Sequence, residues 1–155
     1  MMNWCLHYKT IIENLNQGIY SVDTDKKIVY WNKTAEKITG YNAEEVIGKN
    51  CSDNILAHID ENGKNLCQNF ELCPISQALI NGIKYEGELY LKHRNGHRIL
   101  VHVKVYPAMN EKQEIIGAIE IFYDNSENNA LKFRIQELEK LSLIDSLTKI
   151  ANRRL

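Results

Sequence analysis

The sequence predicts an α+β fold, a five-stranded antiparallel sheet with short helices gathered on one face. Two strand-like runs come first, several short capped helical segments follow, and three longer strand runs close the pattern. The 155 residues are 44% hydrophobic and 25% charged, enough for one domain with a real core plus short extensions.

The elements follow in order. Residues 8–17, YKTIIENLNQ, place Ile11, Ile12 and Leu15 at helical spacing, with Gly18 as a natural stop. GIYSVD (18–23) and KIVYW (27–31) read as strands joined by the polar loop Thr24-Asp25-Lys26, and so as an antiparallel pair. Asn32 is placed to cap a helix over Lys33 to Thr39 that ends at Gly40. Asn42 with Glu45 three residues later forms a capping-box start for AEEVIG. Pro74 sits where a first helical residue belongs, so ISQALI up to Asn81-Gly82 makes about two turns with Cys73 as N-cap.

Three strands come next: KYEGELYLKH (84–93), HRILVHVKVYP (97–107) and EIIGAIEIFYD (114–124). The turn Arg94-Asn95-Gly96 joins the first two. In the middle strand Ile99, Val101, Val103 and Val105 share one face while Leu100, His102, Lys104 and Tyr106 share the other, so one side faces a core. From Ser126 the period changes. Leu131, Ile135, Leu138, Leu141 and Ile144 recur at steps of four and three among charged residues, the seam of a coiled-coil helix; an amphipathic helix folded back on its own sheet would read similarly.

Charge and hydropathy narrow the partners. A net charge of −1 without a long Lys/Arg cluster leaves no footprint for nucleic acid or an anionic membrane. The start, MMNWCLHYKT, is not a signal peptide, and IIGAIEIFY is short and interrupted by Glu120, so neither export nor membrane insertion is expected. That places the chain in the cytoplasm, where thiols stay reduced. Its four cysteines then suggest metal, reactive or buried thiols ahead of a disulfide framework.

The stretch GIYSVDTDKKIVYWNKTAEKITGYNAEEVIGK resembles the first half of a PAS sensor domain. The resemblance rests on Trp31-Asn32, Ala35, Gly40-Tyr41, Glu44-Glu45 and Ile47-Gly48, and later on Gly87, Arg94-Asn95-Gly96 and Gly117. It covers about residues 8–126 and implies the PAS fold. Asp124-Asn125-Ser126 is similar to the D-x-T/S junction at which PAS domains hand over to a signalling helix. Asp145-Ser146-Leu147-Thr148 with Asn152-Arg153-Arg154 resembles the entrance of a GGDEF domain, a diguanylate cyclase that condenses two GTP into cyclic di-GMP. Lys149 and Ile150 depart from that family's Gly and Leu.

The expected organisation is a flanking helix (1–17), a PAS sensor (18–125), a signalling helix (126–144) and the start of a GGDEF domain (145–155). The chain then reads as the sensory, non-catalytic part of a longer protein, dimeric through its flanking helices, with Leu131, Ile135, Leu138 and Leu141 as the coupling seam. The alternative is a PAS module used for dimerisation without a ligand.

The segment CSDNILAHIDENGKNLCQNFELCP (51–74) departs from the usual PAS pattern and supplies the candidate site: Cys51, His58, Cys67 and Cys73. Three readings stand open. Three thiolates and an imidazole are the ligand set of a closed zinc site, although the spacing C-x6-H-x8-C-x5-C lacks the tight pairs of zinc knuckles, and an iron-sulfur cluster would ask for a fourth cysteine. A redox switch would use Cys73, its thiol activated at a helix N-terminus, with Cys67 as resolving partner. The third reading is packing of small buried hydrophobes. Haem is disfavoured because His58 is the only axial candidate, and flavin because the light-sensing motif N-C-R-F-L-Q is absent.

Overall fold

The computed structural model describes residues 4–53 and 55–153. The chain divides into two compact units, the first ending at Asp124 and the second starting at Asn125. In the first, α1 (Trp4–Asn14) precedes β1 (Gly18–Val22) and β2 (Ile28–Trp31); α2 (Lys33–Thr39), α3 (Ala43–Val46) and α4 (Pro74–Asn81) follow; β3 (Tyr85–Lys92), β4 (Arg98–Met109) and β5 (Ile115–Asp124) complete it. The second unit is one helix, α5 (Ser126–Arg153).

The strands form one antiparallel sheet in the order β2-β1-β5-β4-β3, so the last strand of the chain lies at its centre. Its core face carries Tyr20 and Val22 of β1, Leu89 and Leu91 of β3, Ile99, Val101, Val103 and Val105 of β4, and Ala118 and Phe122 of β5, all buried. Helices α2, α3 and α4 supply the other side of that core through Ala35, Val46, Ile75 and Ala78. Burial alternates along β4 from Arg98 to Tyr106, as expected of a sheet apolar on one face. Gly117 of β5 carries no side chain because a Cβ there would collide with the carbonyl oxygen of Val22.

Local signals explain most boundaries. Asp23 turns the β1–β2 loop by accepting the Asp25 and Lys27 amides at 2.9 and 3.0 Å. Glu45 accepts the Asn42 amide at 3.1 Å, and Arg94 grips the same carboxylate at 2.7 and 2.8 Å. Helix α1 begins and ends earlier than the spacing over 8–17 predicts, and Gly18 opens β1 where it was expected to stop a helix. The cause is tertiary. Phe122 lies where a Gly18 side chain would stand, while Asn32 takes hold of the segment that follows α1.

Asn32 is fully buried and uses its whole side-chain amide. Its oxygen accepts the amides of Ile19 and Ala35, both at 2.9 Å, and its nitrogen donates to the carbonyls of Ile12 and Gln17 at 2.8 and 3.0 Å. One residue therefore caps α2, starts β1 and anchors α1. Asn32→Ala is expected to cost about 3 kcal/mol, because it removes a cap and strands several buried backbone groups. Chemical denaturation measures this, and a loss below about 1 kcal/mol would place the anchorage elsewhere.

Candidate functional site

The cysteine-bearing segment is held by the free edge of β3. Ile59 exchanges backbone hydrogen bonds with Tyr90 at 2.9 and 3.0 Å, and the Leu56 carbonyl accepts the Lys92 amide at 2.7 Å. Between these two anchors the chain turns sharply at Ala57, a buried residue at φ 44° in the left-handed region that costs a side-chain-bearing residue energy. Arg98 of β4 fixes that turn by donating to the Ala57 carbonyl at 2.6 Å. The consequence is direction: His58 enters the core.

There it meets a carboxylate. Glu120 follows the inward alternation of β5 between Ala118 and Phe122 and is 1% exposed. A lone buried carboxylate would be severely destabilising, so its oxygens need partners. Tyr20, its register partner on β1, donates its hydroxyl to Oε2 at 2.6 Å, and His58 Nε2 lies 2.9 Å from Oε1. Burial, and then the Glu120 charge, push the Tyr20 hydroxyl well above its ordinary range and keep it a donor.

The far side of the imidazole faces Cys67. The His58 backbone amide donates to Cys67 Sγ at 3.3 Å, and His58 Nδ1 lies 3.7 Å from the same sulfur. Cys67 is partly exposed, whereas Cys51 and Cys73 are buried. Burial by itself would lower the basicity of His58, but the Glu120 carboxylate and the Cys67 contact outweigh it and raise its pKa well above the ordinary value. Burial likewise opposes ionisation of Cys67, yet the two His58 contacts prevail and lower its thiol pKa. The result is a linear chain, Tyr20–Glu120–His58–Cys67, that joins a partly exposed cysteine to a buried carboxyl group through one imidazole.

Cys51 and Cys73 belong to the apolar core cluster beside this chain. Burial pushes the Cys51 thiol far up, helped by Cys73 and Cys67 nearby. Cys73 is the N-cap of α4 ahead of Pro74, as its position predicts, but its side chain makes no capping hydrogen bond. The thiol with a basic partner is Cys67, which the redox reading had cast as the resolving one. Among the described residues, no three His, Cys, Asp or Glu side chains are arranged to hold a metal ion. Sequence reading missed Glu120 and treated it only as a break in an apolar run. The signal was its parity, a glutamate in step with the inward residues of β5.

On α5, Leu131, Ile135, Leu138 and Leu141 are all exposed. On the outer face of the sheet, a groove of about 530 Å³ lies between α1 and the strands, lined by Tyr8, Lys9, Ile12, Ile19, Tyr30 and Ile119 among others. No helix among the described residues is long and apolar enough to cross a membrane.

Comparison with known proteins agrees with this architecture. The chain is similar to the probable diguanylate cyclase DgcE of Escherichia coli, 25% identical over 92% of this chain and 12% of that protein. It is also similar to a signal-transduction and transcriptional-control protein of Clostridium beijerinckii, 32% identical over 74% of this chain and 16% of that protein. It thus spans less than a fifth of either relative. Among solved structures, the PAS domain of a Colwellia psychrerythraea protein superposes with a TM-score of 0.63 at 24% identity, covering 79% of this chain and 97% of that one. The family profile described as PAS domain matches residues 16–127, and the chain belongs to the PAS domain family of sensory modules.

Proposed function

We propose that this chain is the input module of a signalling protein with a diguanylate cyclase output, and that the input acts through Tyr20, Glu120, His58 and Cys67. The carrying observation is the place of Glu120: it sits on β5, the central strand, whose last residue Asp124 is separated from α5 by Asn125 alone. A change of charge or covalent state at Cys67 alters what His58 offers Glu120, and so acts on the strand that continues into the helix. The two contacts that His58 directs at one sulfur, its backbone amide and Nδ1, favour thiol chemistry over a purely structural loop.

The output assignment draws on the GGDEF-like residues 145–154 and on the similarity to a protein named as a probable diguanylate cyclase. Cyclic di-GMP synthesis brings two GTP-loaded sites together, which requires two copies. The exposed seam Leu131, Ile135, Leu138 and Leu141 suits a second α5, and α1 separately exposes Leu6, Tyr8 and Ile11. Residues 126–144 then act as the coupling helix, whose register favours or denies the productive arrangement.

Light scattering at tens of micromolar is expected to find a dimer, and Leu138→Glu a monomer. A monomeric parent chain would remove the coupling helix from the account. In a protein carrying this chain ahead of its cyclase, Glu120→Gln is expected to change cyclic di-GMP formation by roughly fivefold or more, the lower range of allosteric coupling. An unchanged rate in a folded dimer would sever the site from the output.

A further inference from the structure

We propose that Cys67 is a hydroperoxide-reactive thiol, that His58 hands the proton to the departing oxygen, and that Glu120 is the positioning residue for that imidazole. The inference rests on the sensory reading above and names the input chemistry of the same site.

Geometry separates Cys67 from the other core-segment thiols. It is the partly exposed residue, while Cys51 and Cys73 are buried. Two groups of His58 face that sulfur: the backbone amide donates to it at 3.3 Å, and Nδ1 lies 3.7 Å away, a donor when the ring carries both protons. A thiolate so held is preformed for attack, and the same Nδ1 proton stands beside the place where the leaving oxygen must be protonated. On the opposite side of the ring, Glu120 Oε1 at 2.9 Å from Nε2 fixes the orientation of the imidazole and stabilises its charge. The carboxylate is itself locked by Tyr20 at 2.6 Å. Here both ring nitrogens are directed, one at an anion in the core and the other at a sulfur near the surface.

The step balances. The Cys67 thiolate attacks the terminal oxygen of ROOH; the S–O bond forms as the O–O bond breaks, and sulfur loses two electrons to the peroxide. The departing alkoxide takes the proton from His58 Nδ1 and leaves as ROH, which leaves Cys67 as a sulfenic acid and His58 neutral. Oxidation thereby removes the thiolate that shared the imidazolium with Glu120, and this is the change passed to β5. A nearby thiol that reached the sulfenic acid would condense with it to a disulfide and release water, and Cys51 has both Cys67 and Cys73 in its surroundings.

The test uses the full chain, reduced and kept anaerobic, then exposed to hydrogen peroxide with dimedone present. Peptide mass spectrometry reads which cysteine carries the adduct, and the urea-unfolded chain serves as reference. Cys67 is expected to react first, roughly tenfold faster than in the unfolded chain near neutral pH, because the His58 contacts raise its thiolate fraction above the few per cent of a free thiol. A disulfide containing Cys67, formed in place of the adduct, supports the same chemistry. Glu120→Gln, with circular dichroism confirming the fold, is expected to slow the reaction and shift its pH profile upward. Should Cys67 react no faster folded than unfolded, or after Cys51 or Cys73, the proposal is overturned. If Cys67 is inert while Glu120→Gln still alters cyclase output, the sensory reading survives and only the peroxide chemistry falls.

Discussion

The organisation of the input unit follows from one costly placement, the carboxylate of Glu120 on the apolar face of the central strand. Burying a charge there is tolerable only if each oxygen finds a partner, and breaking such a buried arrangement typically costs about 3–5 kcal/mol. Tyr20 supplies one partner from the neighbouring strand, at the position directly across the ladder. The other comes from sixty-two residues away, because His58 lies in the loop that covers the core. The loop therefore has to fold in one way. Its left-handed turn at Ala57, the Arg98 clamp on that turn and the pairing of Ile59 with Tyr90 all serve to deliver one imidazole.

That delivery creates chemistry as a by-product of satisfaction. An imidazole paired with a buried carboxylate on Nε2 leaves Nδ1 for a second contact, and Nδ1 lies 3.7 Å from Cys67 Sγ, which also accepts the His58 backbone amide. The site thus has a wet end at a partly exposed sulfur and a dry end at a strand in the middle of the sheet. The chain passes from the end of β5 into α5 after a single residue, Asn125. Coupling needs no long pathway through the core, because the element that holds Glu120 is also the element that leads out of the unit.

Much of the fold was legible in the sequence because it is written locally. Alternation in β4, the Asn32 and Asn42 helix starts, the Arg94-Asn95-Gly96 turn and Pro74 after Cys73 each encode structure within a few residues. The site was only half legible. The sequence pointed to Cys51, His58, Cys67 and Cys73 and singled out Cys73 by its place before a helix, but it could not show which sulfur the His58 amide and ring reach. Glu120 was the larger omission. Its role arises from contacts across 62 and 100 residues, which no local period reports, although its parity within β5 marked it as inward. The extent of α1 failed for a related reason, since Asn32 and Phe122, both distant in sequence, decide where the helix gives way to β1.

The account stands or falls on the charge state of one ring. Nitrogen-15 chemical shifts of the His58 imidazole, recorded on the reduced chain at a pH about one unit above the ordinary histidine value of roughly 6.5, report that state directly. The account predicts two protonated ring nitrogens, the signature of an imidazolium held between Glu120 and Cys67. A neutral imidazole with one bare nitrogen at that pH would contradict it, leaving Cys67 an ordinary thiol and Glu120 a buried group with no link to the surface.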